Sequence, residues 1–151
     1  MPPDVLVPGR FFTPAEFACH DGEAYPVLFA DRWVVLRDLC DAVRRLWGGP
    51  LSVVSGYRSP AYNAHLIEAD AAAGVHGVAS GSFHVEGRAA DLRPALCTPE
   101  RIQQLHAAVL DRYQAGMLPM LGGLGIYEQS GWIHVDTHQA DDGHLRRWVG
   151  R

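Results

Sequence analysis

The chain is poor in several features that would have fixed its class at once. No apolar run approaches the roughly 20 residues that a membrane-spanning helix needs. The opening Met-Pro-Pro-Asp-Val-Leu-Val-Pro-Gly-Arg has neither a basic start nor a long apolar core, so no secretory leader is read there. Positive charge is sparse: 13 Lys and Arg against 17 Asp and Glu leave a net charge of −4, with no basic run or stripe. That gives no support for a nucleic-acid surface and disfavours a metal-dependent nuclease. The three cysteines, Cys19, Cys40 and Cys97, are odd in number and far apart. They argue against a disulfide framework and against a four-cysteine zinc knot, and are expected as buried small thiols. Cys19 and Cys40 are the one pair that could bridge if the protein were exported.

Internal repeats, low-complexity tracts and linkers are also missing. With 151 residues and 48% hydrophobic content, the chain reads as one domain, residues 1–151, with a real core. It is expected to be soluble, made in the cytoplasm and monomeric. Thr13-Pro14-Ala15-Glu16 has the pattern of a capping box with proline at the first helical position, so a short helix begins there. A longer helix is predicted from about Pro26 to Trp47, burying Leu36, Leu39, Cys40, Val43, Leu46 and Trp47, and ended by Gly48-Gly49-Pro50. Leu51 to Val54 reads as a strand. Ser59-Pro60 starts a second helix reaching about Ala73, and a loop of small residues fills 74–81. Ala89 to Leu92 is a strand stopped by Pro94. Thr98-Pro99-Glu100 caps a third helix with Ile102, Leu105, Val109 and Leu110 or Tyr113 turned inward. Gly123 to Tyr127 and Trp132 to Thr137 form a hairpin. The sum is α+β, a small and mostly antiparallel sheet flanked by helices.

The most chemically loaded passage is Ser-Gly-Ser-Phe-His-Val-Glu-Gly-Arg-Ala-Ala-Asp at 80–91. His84 and Asp91 are too far apart for one helical face and have the wrong parity for one face of a flat strand. A turn at Gly87 would bring the run from Arg88 back beside His84, so that both side chains enter one cleft. Both are good ligands for a borderline cation such as zinc. The best third ligand is His134, in the apolar-flanked Gly-Trp-Ile-His-Val-Asp-Thr. One coordination position would then remain open for water, as in catalytic zinc sites.

Three passages occur in order: Ser-Gly-Tyr-Arg-Ser-Pro at 55–60, Ser-x-His-x-x-Gly-x-Ala-x-Asp at 82–91, and Gly-Gly-x-Gly-x-Tyr leading to His-Val-Asp at 122–136. Together they resemble the zinc D-alanyl-D-alanine carboxypeptidase family of peptidoglycan peptidases, which share the hedgehog/DD-peptidase fold. Phe-Thr-Pro-Ala-Glu-Phe-Ala-Cys near the start is similar to the family as well, so the likeness covers about 11–148. The resemblance implies one Zn2+ per chain on His84, Asp91 and His134, and a zinc metallopeptidase cutting peptidoglycan stem peptides as carboxypeptidase, endopeptidase or endolysin. It implies that Arg58 holds the substrate or the reacting carbonyl, and that Ser82 lies near the substrate. Tyr57, beside Arg58, is a packing or rim residue of that substrate region. Action at the cell wall or periplasm would require export or release.

One departure matters. Many relatives carry an acidic general base three residues before the last zinc histidine, where this chain has Gly131. Asp136 is the first substitute, because strand alternation points it to the side His134 faces, as base or as a residue orienting a ligand. Glu128, in the hairpin turn, is the second. The missing acid gives weight to a rival reading, a zinc-stabilised module that binds cell-wall peptides or a protein partner without cutting. The glycyl-glycine endopeptidases are disfavoured because Trp132 stands where they have the first histidine of a His-x-His pair. The other histidines, His20, His65, His76, His106, His138 and His144, are expected at the surface, with His138 a candidate to line the cleft. Trp132 and Trp148 are expected as core or groove-wall aromatics, and Gly122, Gly123 and Gly125 as sites of close strand approach.

Overall fold

The structure is a computed structural model and describes residues 6–74 and 81–150. His76 and most of the expected small-residue loop lie outside the described residues. Thr13 opens a single 3-10 turn, Pro14–Phe17, with its N–H donated to Glu16 Oε2 at 2.8 Å, and Phe17 drops into the core. The helix expected from Pro26 is split. A second 3-10 turn, Val27–Phe29, precedes α1, Ala30–Trp47. Phe29 is the break: its ring packs between Tyr25 and Tyr57, 6.4 and 6.2 Å away, and its backbone leaves the helical region.

Gly48 terminates α1, and β1 follows at Leu51–Ser55. Helix α2 covers Pro60–Ala72, capped by Ser59 Oγ accepting from the Tyr62 N–H. Strand β2, Ala89–Pro94, runs two residues further than expected, since Pro94 at the end of its pairing with Leu51 needs no N–H there. Helix α3, Pro99–Gln114, is capped by Thr98, and β3, Gly123–Tyr127, and β4, Trp132–Asp136, form the hairpin. A fifth strand, β5, Arg146–Val149, pairs in parallel with β3. The sheet order is β1-β2-β4-β3-β5, antiparallel except for that last pair. The fold is α+β, as its sequence pattern implies. No helix among the described residues is long and apolar enough to cross a membrane.

Alternation divides the sheet. Ala90 and Leu92 of β2, Leu124 and Ile126 of β3, and Ile133 and Val135 of β4 join the core with Trp33, Leu36, Leu39, Cys40 and Val43 of α1 and Ile102, Leu105 and Val109 of α3. Leu46, Trp47, Leu110 and Tyr113 are only partly buried against it. The opposite face presents Asp91 from β2 and His134 and Asp136 from β4, all buried, on adjacent strands. Polar groups therefore converge on a sheet whose other side is apolar and rigid.

The expectations for Cys97, His106 and His138 are corrected, while Cys19 and Cys40 are buried thiols as expected. Cys97 is exposed rather than buried, because it lies in the bend before α3, with its Sγ 3.4 Å from the Gly131 carbonyl. Cys19 and Cys40 are buried but remain free thiols, the former accepting from the Ser59 N–H at 3.4 Å. His106 and His138 are half-buried rather than exposed. The first lies by β5, and the second stacks on Phe83 with ring centroids 4.2 Å apart.

The turn at 83–87 sets the approach to β2. Ser82 Oγ accepts from the His84 N–H at 3.2 Å, and the Gly87 and Arg88 N–H groups donate to the His84 and Phe83 carbonyls. Gly87 has φ +71°, and a Cβ there would strike Phe29 and Tyr25. The Tyr25 hydroxyl, from the chain ahead of α1, donates to the Gly87 carbonyl at 2.5 Å in a buried setting. Tyr25→Phe should leave that carbonyl without its donor and destabilise the protein by about 1–2 kcal/mol. In thermal denaturation the midpoint should fall by roughly 2–6 °C, and an unchanged midpoint would contradict the role given to this hydroxyl.

Candidate metal centre

Asp91 and His134 are register partners on β2 and β4, so their side chains are neighbours on one sheet face. His84 reaches the same point from the turn before β2. One potential ligand atom from each of the three lies within 4.8 Å of the others, and all three residues are buried. This is the one such group among the described residues. Asp91 sits between the two rings. Its Oδ2 is 3.3 Å from His84 Nε2, and its Oδ1 is 3.2 Å from His134 Nδ1. The imidazoles meet edge to face, centroids 5.1 Å apart.

The far nitrogen of each ring is occupied. His84 Nδ1 lies 2.8 Å from the Gly56 carbonyl oxygen, so Nδ1 carries the proton and Nε2 turns its lone pair to Asp91. His134 Nε2 lies 2.8 Å from Asp136 Oδ2, which leaves Nδ1 facing Asp91. A ligand histidine whose other nitrogen is tied to a carbonyl or carboxylate is the arrangement that metal sites use to fix tautomer and ring orientation. Burial pulls the pKa of His84 down, against the opposing pull of Asp91. Burial also acts to lower His134, but the carboxylates of Asp136 and Asp91 outweigh it and the net shift is upward. Burial raises Asp91, yet the two histidines overcome it and hold the carboxyl below the usual range.

The remaining residues singled out from the sequence are placed as follows. Arg58 borders the group: Nη2 is 3.9 Å from Asp91 Oδ2, Nη1 donates to Asn63 Oδ1 at 3.4 Å, and its N–H donates to the His84 carbonyl. Ser82 braces the turn carrying His84. Tyr57 is buried among Tyr25 and Phe29. Asp136 is wholly buried behind His134. Its Oδ1 accepts from Arg146 Nη2 and from the His138 N–H, while Oδ2 faces the imidazole. Glu128 is not brought to the group; its carboxylate accepts from Gln103 Nε2 on α3, which covers the other face of the sheet. Gly131 has φ +89°, and a Cβ there would meet Cys97 and Arg93.

Sequence reasoning missed Arg146 and the Gly56 carbonyl. Carbonyls leave no residue-type signal. Arg146 belongs to a four-residue strand too short and too charged to announce itself, although alternation through Arg-Arg-Trp-Val would have put it on one face with Trp148. The Trp148 ring lies 4.9 Å from that of His134, and its Nε1 donates to the Tyr127 hydroxyl at 2.8 Å.

A family profile described as peptidase M15 matches residues 10–136. Among curated proteins, the chain is similar to a probable peptidoglycan L,D-endopeptidase MepK of Haemophilus influenzae, 31% identical over 100 residues, covering 66% of this chain and 43% of that protein. It is also similar to the peptidoglycan L,D-endopeptidases MepK of Escherichia coli K12 and Shigella flexneri, each 31% identical over 116 residues, covering 73% of this chain and 52% of theirs. The chain thus spans about half the length of the curated relatives it matches. No solved structure gave a significant match. The likeness runs through the ordered passages that supply His84, Asp91 and His134, and the chain belongs to the peptidase M15 family.

Proposed function

We propose that this chain is a zinc-dependent peptidase that hydrolyses peptide bonds of peptidoglycan, with His84, Asp91 and His134 as ligands for one zinc ion. The convergence of those three buried side chains in a chain of this family is the observation that carries the reading. The donor set suits zinc in number and kind: two imidazole nitrogens and one carboxylate, each histidine fixed through its second nitrogen. The spacing suits it too. One potential ligand atom from each residue lies within 4.8 Å of the others, close enough to share a single ion.

Electrostatics points the same way. An imidazole lone pair facing a carboxylate oxygen at 3.3 or 3.2 Å is repulsive unless a proton or cation lies between them. A cation shared by all three residues would relieve both contacts.

Zinc in such a set supplies Lewis acidity for attack on a scissile carbonyl. The chain's own residues do the rest. Arg58 stands beside Asp91 with its guanidinium fork turned toward the group, suited to a substrate carboxylate or to charge developing on the carbonyl oxygen. Asp136 acts on His134: it accepts a hydrogen bond from Nε2–H and keeps Nδ1 directed at Asp91. Ser82 positions His84 through the backbone of the turn. Endopeptidase cleavage is the favoured type, since the curated relatives bear that name. The proposed site of action is the cell wall.

A second reading is favoured by one observation: Gly131 lacks the expected acid, Asp136 is engaged by the far nitrogen of His134, and Glu128 is bonded to Gln103. On that reading the metal stabilises a module that binds wall peptides without cutting them. Incubation with purified muropeptide dimers, with and without chelator, separates the readings. Endopeptidase action gives monomers, carboxypeptidase action releases terminal D-alanine, and a binding module retains peptides unchanged. Chelator should abolish product formation and added zinc should restore it; hydrolysis in metal-stripped protein would refute the zinc reading. His84→Ala should fold, bind less than one zinc per chain and show no hydrolysis. Arg58→Gln should bind zinc normally while kcat/KM falls by about 100-fold, and wild-type kinetics would remove Arg58 from the mechanism.

A further inference from the structure

Strand β5 lies beyond the residues the family profile matches, and it is separated from β4 by β3. Its side chains nevertheless reach the residues next to the metal group. Register explains how. Gly123 pairs with Asp136 on one side and Arg146 on the other; Gly125 pairs likewise with His134 and Trp148. Side chains two strands apart are normally separated by the residue between them. Here both intervening positions are glycine. A Cβ at Gly123 would collide with the Asp136 carboxylate and Arg146 Nη2, and one at Gly125 would enter the Trp148 indole. Two rows therefore cross the sheet, Arg146 over Gly123 to Asp136 and Trp148 over Gly125 to His134.

In the first row, Arg146 Nη2 donates to Asp136 Oδ1 and, at 3.1 Å, to the His138 carbonyl. Its guanidinium carbon is held 4.7 Å from the Phe83 ring and 5.9 Å from that of Trp148. Asp136 is completely buried, and a buried carboxylate without a cationic partner is costly. Resting on the zinc reading above, we propose that Arg146 is a positioning residue of the metal site: by pairing with Asp136 it fixes the carboxylate that holds His134 Nε2, so that Nδ1 is presented to the metal. The Gly123 gap is what lets a residue of β5 do this for a ligand on β4.

The test uses full-length protein stripped of metal. Zinc affinity is measured by competition with a chromophoric chelator, and cobalt(II) binding by visible absorption. Arg146→Gln should weaken zinc binding by about 10–100-fold and alter the cobalt spectrum, with far-UV circular dichroism unchanged. Arg146→Lys, which keeps the charge but not the fork, should lose several-fold. Arg147→Gln, on the opposite face beside His106, should match the wild type. In an Asp136→Asn background, Arg146→Gln should add no further loss, because the effect runs through Asp136. Wild-type affinity and spectrum in Arg146→Gln would overturn the proposal, as would a full additional loss in the Asp136→Asn background. If Arg146→Gln does not fold, Arg146→Lys decides: wild-type affinity and spectrum overturn the proposal, and a several-fold loss upholds it. A wild type that binds no zinc would instead sink the zinc reading, and this inference with it.

Discussion

Everything near the site hangs on one cross-strand pairing, Asp91 opposite His134. The pair sets a carboxylate beside an imidazole on the buried polar face of a sheet whose other face is packed by α1 and α3. The backbone ladder fixes which residues stand opposite, and a slip of one position in either strand would send its member of the pair to the apolar side. Core packing and site geometry are thus the same constraint seen from two faces: Ala90, Leu92, Ile133 and Val135 hold the register that aligns Asp91 with His134.

Around that pair the protein has buried four groups that prefer water: His84, Asp91, His134 and Asp136. Isolated, each would be strongly disfavoured. Each is instead partnered, His84 with a backbone carbonyl, His134 with two carboxylates, Asp136 with an arginine and a backbone N–H. Asp91 is the one whose neighbours are mainly ring nitrogens, with Arg58 at the outer limit of an ion pair. Asp91 therefore stands at the centre of the group, between the two imidazoles.

Much of this was legible in the sequence, and the reasons are physical. His84, Asp91 and His134 stand out because imidazoles and carboxylates are uncommon within apolar strand contexts, and Gly87 announces the turn that closes the gap between the first two. Helices α1, α2 and α3 announce themselves through caps and periodicity, with Ser59 and Thr98 as N-caps. The 3-10 break at Phe29 was not legible, since nothing local distinguishes a helix start from an aromatic ring drawn into a distant cluster. Strand β5 was invisible because its hydrogen bonds come from β3 rather than from its own pattern. Asp136 could be placed on the correct strand face by alternation, but whether it looked toward solvent or toward its neighbour depended on the rotamer of His134.

The parallel pairing of β5 with β3 has a consequence for the order of assembly. Parallel neighbours cannot be joined by a tight hairpin, and here nearly twenty residues separate Tyr127 from Arg146, with β4 in between. The β3–β4 hairpin can pair before β5 is added, and Asp136 gains Arg146 only once β5 has docked against β3. The group of His84, Asp91 and His134 can thus be outlined before it is braced, and docking of β5 becomes the late, non-local step that tightens it.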